Sequence, residues 1–131
     1  MNIGNQADYI QYRFRRAEES LVEANILFQN KRWNATINRL YYACFYAVIA
    51  LLLSHGIRTQ THDGARLQFG LHFVKTGLID KRFGKLYSKL FDYRQKGDYG
   101  DLYDFDAETV NPLINSVAEF IGEIRKHLLN L

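Results

Sequence analysis

Between Arg39 and Leu53 the chain reads RLYYACFYAVIALLL, and after Arg39 fourteen consecutive residues carry neither a charge nor an amide. A helix that is apolar on every side has to be covered on every side, because only a one-sided stripe can face solvent. Fourteen residues fall short of the roughly 20 that cross a bilayer. The run is therefore predicted to be the central core helix of an all-α protein, with no membrane span. His55 and Gly56 follow as its stop, a cation-capable side chain and then glycine.

A chain of 131 residues is predicted to form one domain, 1–131, with enough core to need neither disulfides nor metal. The single cysteine, Cys44, lies inside the apolar run and is predicted to be buried and inert. One cysteine excludes a disulfide framework and a thiolate zinc cluster. The first residues, MNIGNQADYIQYRFRR, contain no apolar signal core, which predicts a cytoplasmic protein.

Net charge is only +3, but it is unevenly spread. From Lys31 to Lys96 there are twelve Lys/Arg against Asp63, Asp80 and Asp92; from Gly97 to Glu123 there are seven acids and no base. The basic field attracts phosphate, whether on nucleic acid, a nucleotide or an acidic partner.

Four amphipathic segments are available to cover the central helix. The first, about Asn5 to Asn30, places Ile10, Phe14, Ala17, Leu21, Ala24 and Phe28 on one stripe. Asn34 is a candidate N-cap for the central helix. After the polar segment Ile57–Gly64, Thr61 caps a third helix reaching about Thr76, with Ala65, Phe69, Phe73 and Val74 inward. Asp80 caps a fourth, Lys81 to Lys96, with Phe83, Leu86, Tyr87, Leu90 and Tyr93 inward and Gly97 ending it. Its outer side carries Arg82, Lys85 and Lys89. A loop rich in acids and aromatics, Gly97–Phe105, leads to a fifth helix that starts near Asp106 or Thr109 and ends about Leu128. Thr109 as cap suits Pro112, since proline is tolerated in a first turn. The fold class is an up-and-down bundle of about five helices around Arg39–Leu53.

No histidine pair, Glu/His repeat or glycine-rich phosphate loop occurs, so no metal or cofactor is expected. Three places can still carry chemistry. His62 opens the third helix beside Thr61 and Asp63. Arg39 leads into an apolar helix and must reach solvent or an acid. Arg94, with Asp98 and Tyr99, can hold a phosphate at a helix–loop junction, and can equally form an ion pair that pins the loop.

The segments NRLYYACFYAVIALLLSHGI, TQTHDG, FVKTGLID and LFDYRQKGDYGDLYDF, in this order and spacing, resemble the HEPN family (higher eukaryotes and prokaryotes nucleotide-binding domain) over about Ala7 to Leu128. The likeness is to its small stand-alone prokaryotic branch, often encoded beside a minimal nucleotidyltransferase. It implies a helical homodimer in a toxin–antitoxin or nucleotide-linked setting, binding nucleotide or RNA phosphate through Arg39, Arg94, Asp98 and Tyr99. Many members resemble metal-independent ribonucleases that use an arginine, four to six residues and then a histidine. There the imidazole moves a proton and the guanidinium binds the scissile phosphate. Here Arg94 matches the arginine, and the window after it holds Tyr99, Gly100 and Asp101 with no histidine. The ribonuclease alternative therefore needs His62 from another segment, and a structural dimer without catalysis is the second alternative. In some family systems the partner nucleotidyltransferase modifies a tyrosine; Tyr99 is the matching position.

Overall fold

A computed structural model describes residues 3–59, 61–100 and 103–129. Gln60 of the polar segment and Asp101 and Leu102 of the acidic loop lie outside the described residues. Five helices follow one another: α1 (Ile3–Gln29), α2 (Trp33–Ser54), α3 (His62–Phe69, extended by one π turn, Gly70–Val74), α4 (Lys81–Tyr99) and α5 (Ala107–Lys126). Among the described residues there is no strand, so the all-α bundle holds.

α2 is the axis of the core and packs against each of the other four helices. It is longer than its uncharged run, and its 22 residues would reach across a membrane by length and composition. The bundle covers it instead: Ile37, Leu40, Tyr41, Ala43, Cys44, Ala47, Val48, Ala50, Leu51 and Leu52 have no exposure at all. α1 brings Ile10, Phe14, Ala17 and Ala24 into the core, and α5 brings Val110, Leu113, Val117, Phe120 and Ile124. One side of α2 stays half-covered, along Tyr42, Phe45, Ile49 and Leu53.

Two caps fall where the sequence puts them. The Thr61 hydroxyl accepts from the Gly64 amide at 2.8 Å, and the Asp80 carboxylate from the Arg82 amide at 2.9 Å. Two boundaries differ, and a third, the start of α5, falls on one of the two positions the sequence offers. α5 starts at the Asp106 cap, whose carboxylate accepts from the Thr109 amide at 2.8 Å, so Thr109 is inside the helix. Pro112 then sits on an exposed face in the second turn, giving up only the N–H that would reach the Glu108 carbonyl. Asn34 is not the N-cap of α2, which begins at Trp33. Its side chain instead bridges to the acidic loop, accepting from the Phe105 amide and donating to the Tyr103 carbonyl, both at 2.9 Å. Gly97 does not end α4, which runs on to Tyr99. A Cβ there would press on the Phe105 ring at 3.2 Å, so this glycine serves close packing rather than termination. Asp98 and Tyr99 are therefore helical.

Asn34→Ala removes both bridges and leaves the Phe105 amide without its acceptor. The expected loss is about 1–3 kcal/mol in denaturant unfolding, with faster hydrogen exchange at Phe105. An unchanged exchange rate there contradicts the bridge.

Candidate functional site

The polar cluster is built on the first three turns of α2. Asn34, Asn38, Tyr41, Tyr42 and Phe45 recur at three- and four-residue steps and so share one side of the helix. α4 runs past that side with Arg94, and α3 begins there with His62.

Arg94 is only 8% exposed. Its guanidinium carbon lies 4.8 Å from the Tyr41 ring centroid and 5.7 Å from that of Tyr42, so two aromatic faces carry the charge. Asp98, one turn on, lies 4.0 Å from Nη1, the outer limit of an ion pair. That carboxylate is drawn sideways by Asn38, whose Nδ2 donates to Oδ2 at 3.0 Å. Arg94 Nε is buried and has no acceptor among the described residues. A buried charge normally comes with its hydrogen bonds complete. This one is short of acceptors.

His62 meets Tyr41 at its hydroxyl. Its Nδ1 is 2.7 Å from the Tyr41 hydroxyl, and its ring packs on Phe45 at 4.3 Å between centroids. Burial pushes the Tyr41 phenol far above its usual range, so the hydroxyl stays protonated. It can donate to Nδ1 or accept from it; either way the contact fixes the ring and leaves Nε2 to meet a ligand. Burial first, and the Arg94 charge second, hold the imidazole below its ordinary pKa against the opposing pull of Asp63. At neutral pH His62 is uncharged.

The structure thus brings His62, at the start of α3, to the Arg94–Asp98 pair of α4. Arg39 lies next to them: it stacks on Tyr42 at 4.9 Å, donates to Asn38 Oδ1 at 2.8 and 3.1 Å, and reaches Glu23 at 3.6 Å. Its charge is partly spent on that acid. Tyr99 stands apart, 77% exposed at the end of α4. Sequence reasoning missed Asn38, Tyr41 and Tyr42 as site residues. Their helical spacing from Asn34 was the available signal, masked because aromatics at that spacing also describe a core. The other predicted features are ordinary. Arg82 pairs with Glu119 at 3.1 Å and so leaves the basic stripe, Cys44 is buried with its thiol pushed far up by burial, His55 bonds the His127 carbonyl at the far end of the chain, and His72 and His127 bond side chains one turn away. Among the described residues no cluster of His, Cys, Asp and Glu can hold a metal.

The depressed His62 has a signed consequence. The folded protein binds this proton less tightly than the unfolded chain does, so the penalty is absent above the ordinary pKa of 6.5 and grows as pH falls through it. NMR titration of His62 should give a value below 6.5 in the wild type. Arg94→Met should move it back up. No movement would mean that the guanidinium does not act on the imidazole.

A family model of the HEPN domain matches residues 10–127. The chain is 42% identical to a UPF0332 protein of Thermotoga maritima, over 93% of this chain and 92% of the relative. It is 36% identical to a protein of Methanocaldococcus jannaschii that bears the name "putative toxin", over 86% and 83% of the two chains. A UPF0332 protein of Archaeoglobus fulgidus is 33% identical, over 90% and 94%. With nearly its whole length matched and its five helices in place, the chain belongs to the HEPN domain family.

Proposed function

We propose that this is a toxin-like HEPN protein of a toxin–antitoxin or nucleotide-linked system, which engages a phosphate of RNA or a nucleotide at Arg94. The observation that carries this reading is the guanidinium itself: buried, seated on two tyrosine rings, and short of acceptors. A phosphate oxygen can meet the Nη edge of the guanidinium, which makes no hydrogen bond among the described residues and reaches Asp98 only at 4.0 Å, and the low local dielectric strengthens the attraction. Asp98 and Arg39 border the same place and tune its charge. The toxin names of two relatives from Methanocaldococcus jannaschii support the setting.

A second reading, metal-independent ribonuclease, is favoured by one specific observation. His62 lies across Tyr41 from Arg94, so an imidazole is available although the stretch after Arg94 has none. In this reading Arg94 clamps the scissile phosphate and His62 carries the proton through Nε2.

A minimal nucleotidyltransferase as partner and a homodimer complete the proposal. Tyr99, exposed at the end of α4, is the tyrosine that such a partner would modify. α3, the neighbour of α2, leaves Leu67 and Leu71 exposed one turn apart, apolar area suited to a second copy.

The deciding experiment sets wild type beside Arg94→Ala and His62→Ala, each checked for folding by circular dichroism, in calorimetry with nucleotides and in cleavage of mixed cellular RNA. Phosphate engagement predicts binding that Arg94→Ala abolishes; a wild type that binds neither RNA nor nucleotide ends the reading. Cleavage lost in both variants makes the protein a ribonuclease, whereas cleavage unchanged in both belongs to a contaminant. The assembly is checked by light scattering at micromolar concentration and by mass spectrometry after incubation with the partner and nucleotide. A dimer is expected, with added mass that Tyr99→Phe prevents; a monomer, or modification of the Phe variant, overturns the respective claim.

A further inference from the structure

Beyond the Arg94 cluster, a groove of about 560 Å³ opens between α1, α2 and the segment leading into α3. Its apolar floor is Phe45, Ile49 and Leu53, on the half-covered side of α2, with Ile57 just past the turn that ends the helix. Two arginines line the groove with that floor, Arg13 from α1 and Arg58 from the segment after α2, and among the described residues no carboxylate lines it. Arg13 donates through Nη2 to the Tyr9 hydroxyl at 2.6 Å, while its buried Nε has no acceptor among the described residues. Arg58 is exposed. His62 and Phe45, stacked 4.3 Å apart, form the wall at one end. The same His62 bonds Tyr41, which carries Arg94 on its face. The groove and the Arg94 site therefore meet at one imidazole.

A flat apolar floor under unpaired cations calls for a flat apolar group joined to an anion. Continuity with a second phosphate seat at Arg94 calls for that unit to repeat. We propose that the groove is the base subsite of this protein: it takes the nucleobase of the nucleotide next to the phosphate held at Arg94, on single-stranded RNA, and Arg13 and Arg58 hold that nucleotide's own phosphate. The inference rests on the phosphate reading above and adds to it a set of residues that select the strand.

The test uses the full chain and a fluorescein-labelled single-stranded oligoribonucleotide of mixed sequence, followed by anisotropy at several salt concentrations. Ile49→Trp fills the groove and should weaken binding about tenfold, the loss of one stacked base. Arg13→Ala, and Arg58→Ala at an exposed position whose folding is secure, should each flatten the dependence of log affinity on log salt by about 0.7. Arg94→Ala is the comparison. If Arg94→Ala weakens binding while all three groove variants bind as wild type does, the base subsite is wrong and the phosphate reading stands. If the wild type binds no oligoribonucleotide, both fall. If the groove variants leave binding intact but change the mass by light scattering, the groove seats a second copy of the chain and the inference is overturned.

Discussion

The fold depends on one constraint, that α2 must be covered on nearly every side. Ten of its residues, from Ile37 to Leu52, are without exposure, including a tyrosine and a cysteine. No single amphipathic partner can enclose a helix of this kind, so four are recruited and the bundle topology follows. Alanines recur where α2 is fully buried, at 43, 47 and 50, and α1 matches them with Ala17 and Ala24. Small residues on both helices let their axes approach, which sets how tightly the bundle closes.

Against that apolar axis, the polar cluster at Tyr41 stands out. Burying a guanidinium is unfavourable unless hydrogen bonds and opposite charge replace its water. Here two aromatic faces supply part of the replacement, and Asp98 at 4.0 Å supplies another part. Neither gives Nε an acceptor. A side chain retained only to pin the loop would be better served by a short bidentate pair, and the loop is already pinned by Asn34 through two backbone bonds. On the reading proposed above, an incoming anion completes the cluster.

Much of this was legible beforehand. The stripe from Ile10 to Phe28 gave α1, the uncharged run gave the axis, and Thr61 and Asp80 cap as their side chains suggest, because capping is local chemistry written in adjacent residues. What could not be read depends on contacts distant in sequence. Gly97 looks like a helix stop until the Phe105 ring is seen pressing on it. Asn34 looks like a cap until its amide is found bridging to residues some seventy positions on. Asp106 and Thr109 were both plausible caps for α5, and Pro112 favoured the wrong one because an exposed second-turn proline forfeits only one bond. At the site, Arg94 and Asp98 were paired from their spacing, but the convergence of His62 on Tyr41 is tertiary.

That convergence is nonetheless physically accessible, and the chain shows how. Phe45, on which His62 stacks, lies nine residues before the end of α2, about 14 Å back along the axis. The seven residues His55–Thr61 can span about 23–25 Å when extended, enough to return along α2 and set down an imidazole beside Tyr41. The turn that ends the return is tight: a Cβ at Gly64 would collide with the Thr59 and Thr61 hydroxyls, so glycine lets α3 start where His62 reaches α2. The imidazole therefore comes from another element to the Tyr41 side chain that also carries Arg94. A histidine at the position of Asp98 would lie on the same helix face as the arginine and draw on the same space. The carboxylate there is restrained by Asn38, which leaves the guanidinium only partly compensated. The cation and the imidazole thus sit on different helices, each with aromatic support, Tyr41 and Tyr42 beside Arg94 and Phe45 under His62, and the Tyr41 hydroxyl bonds the imidazole.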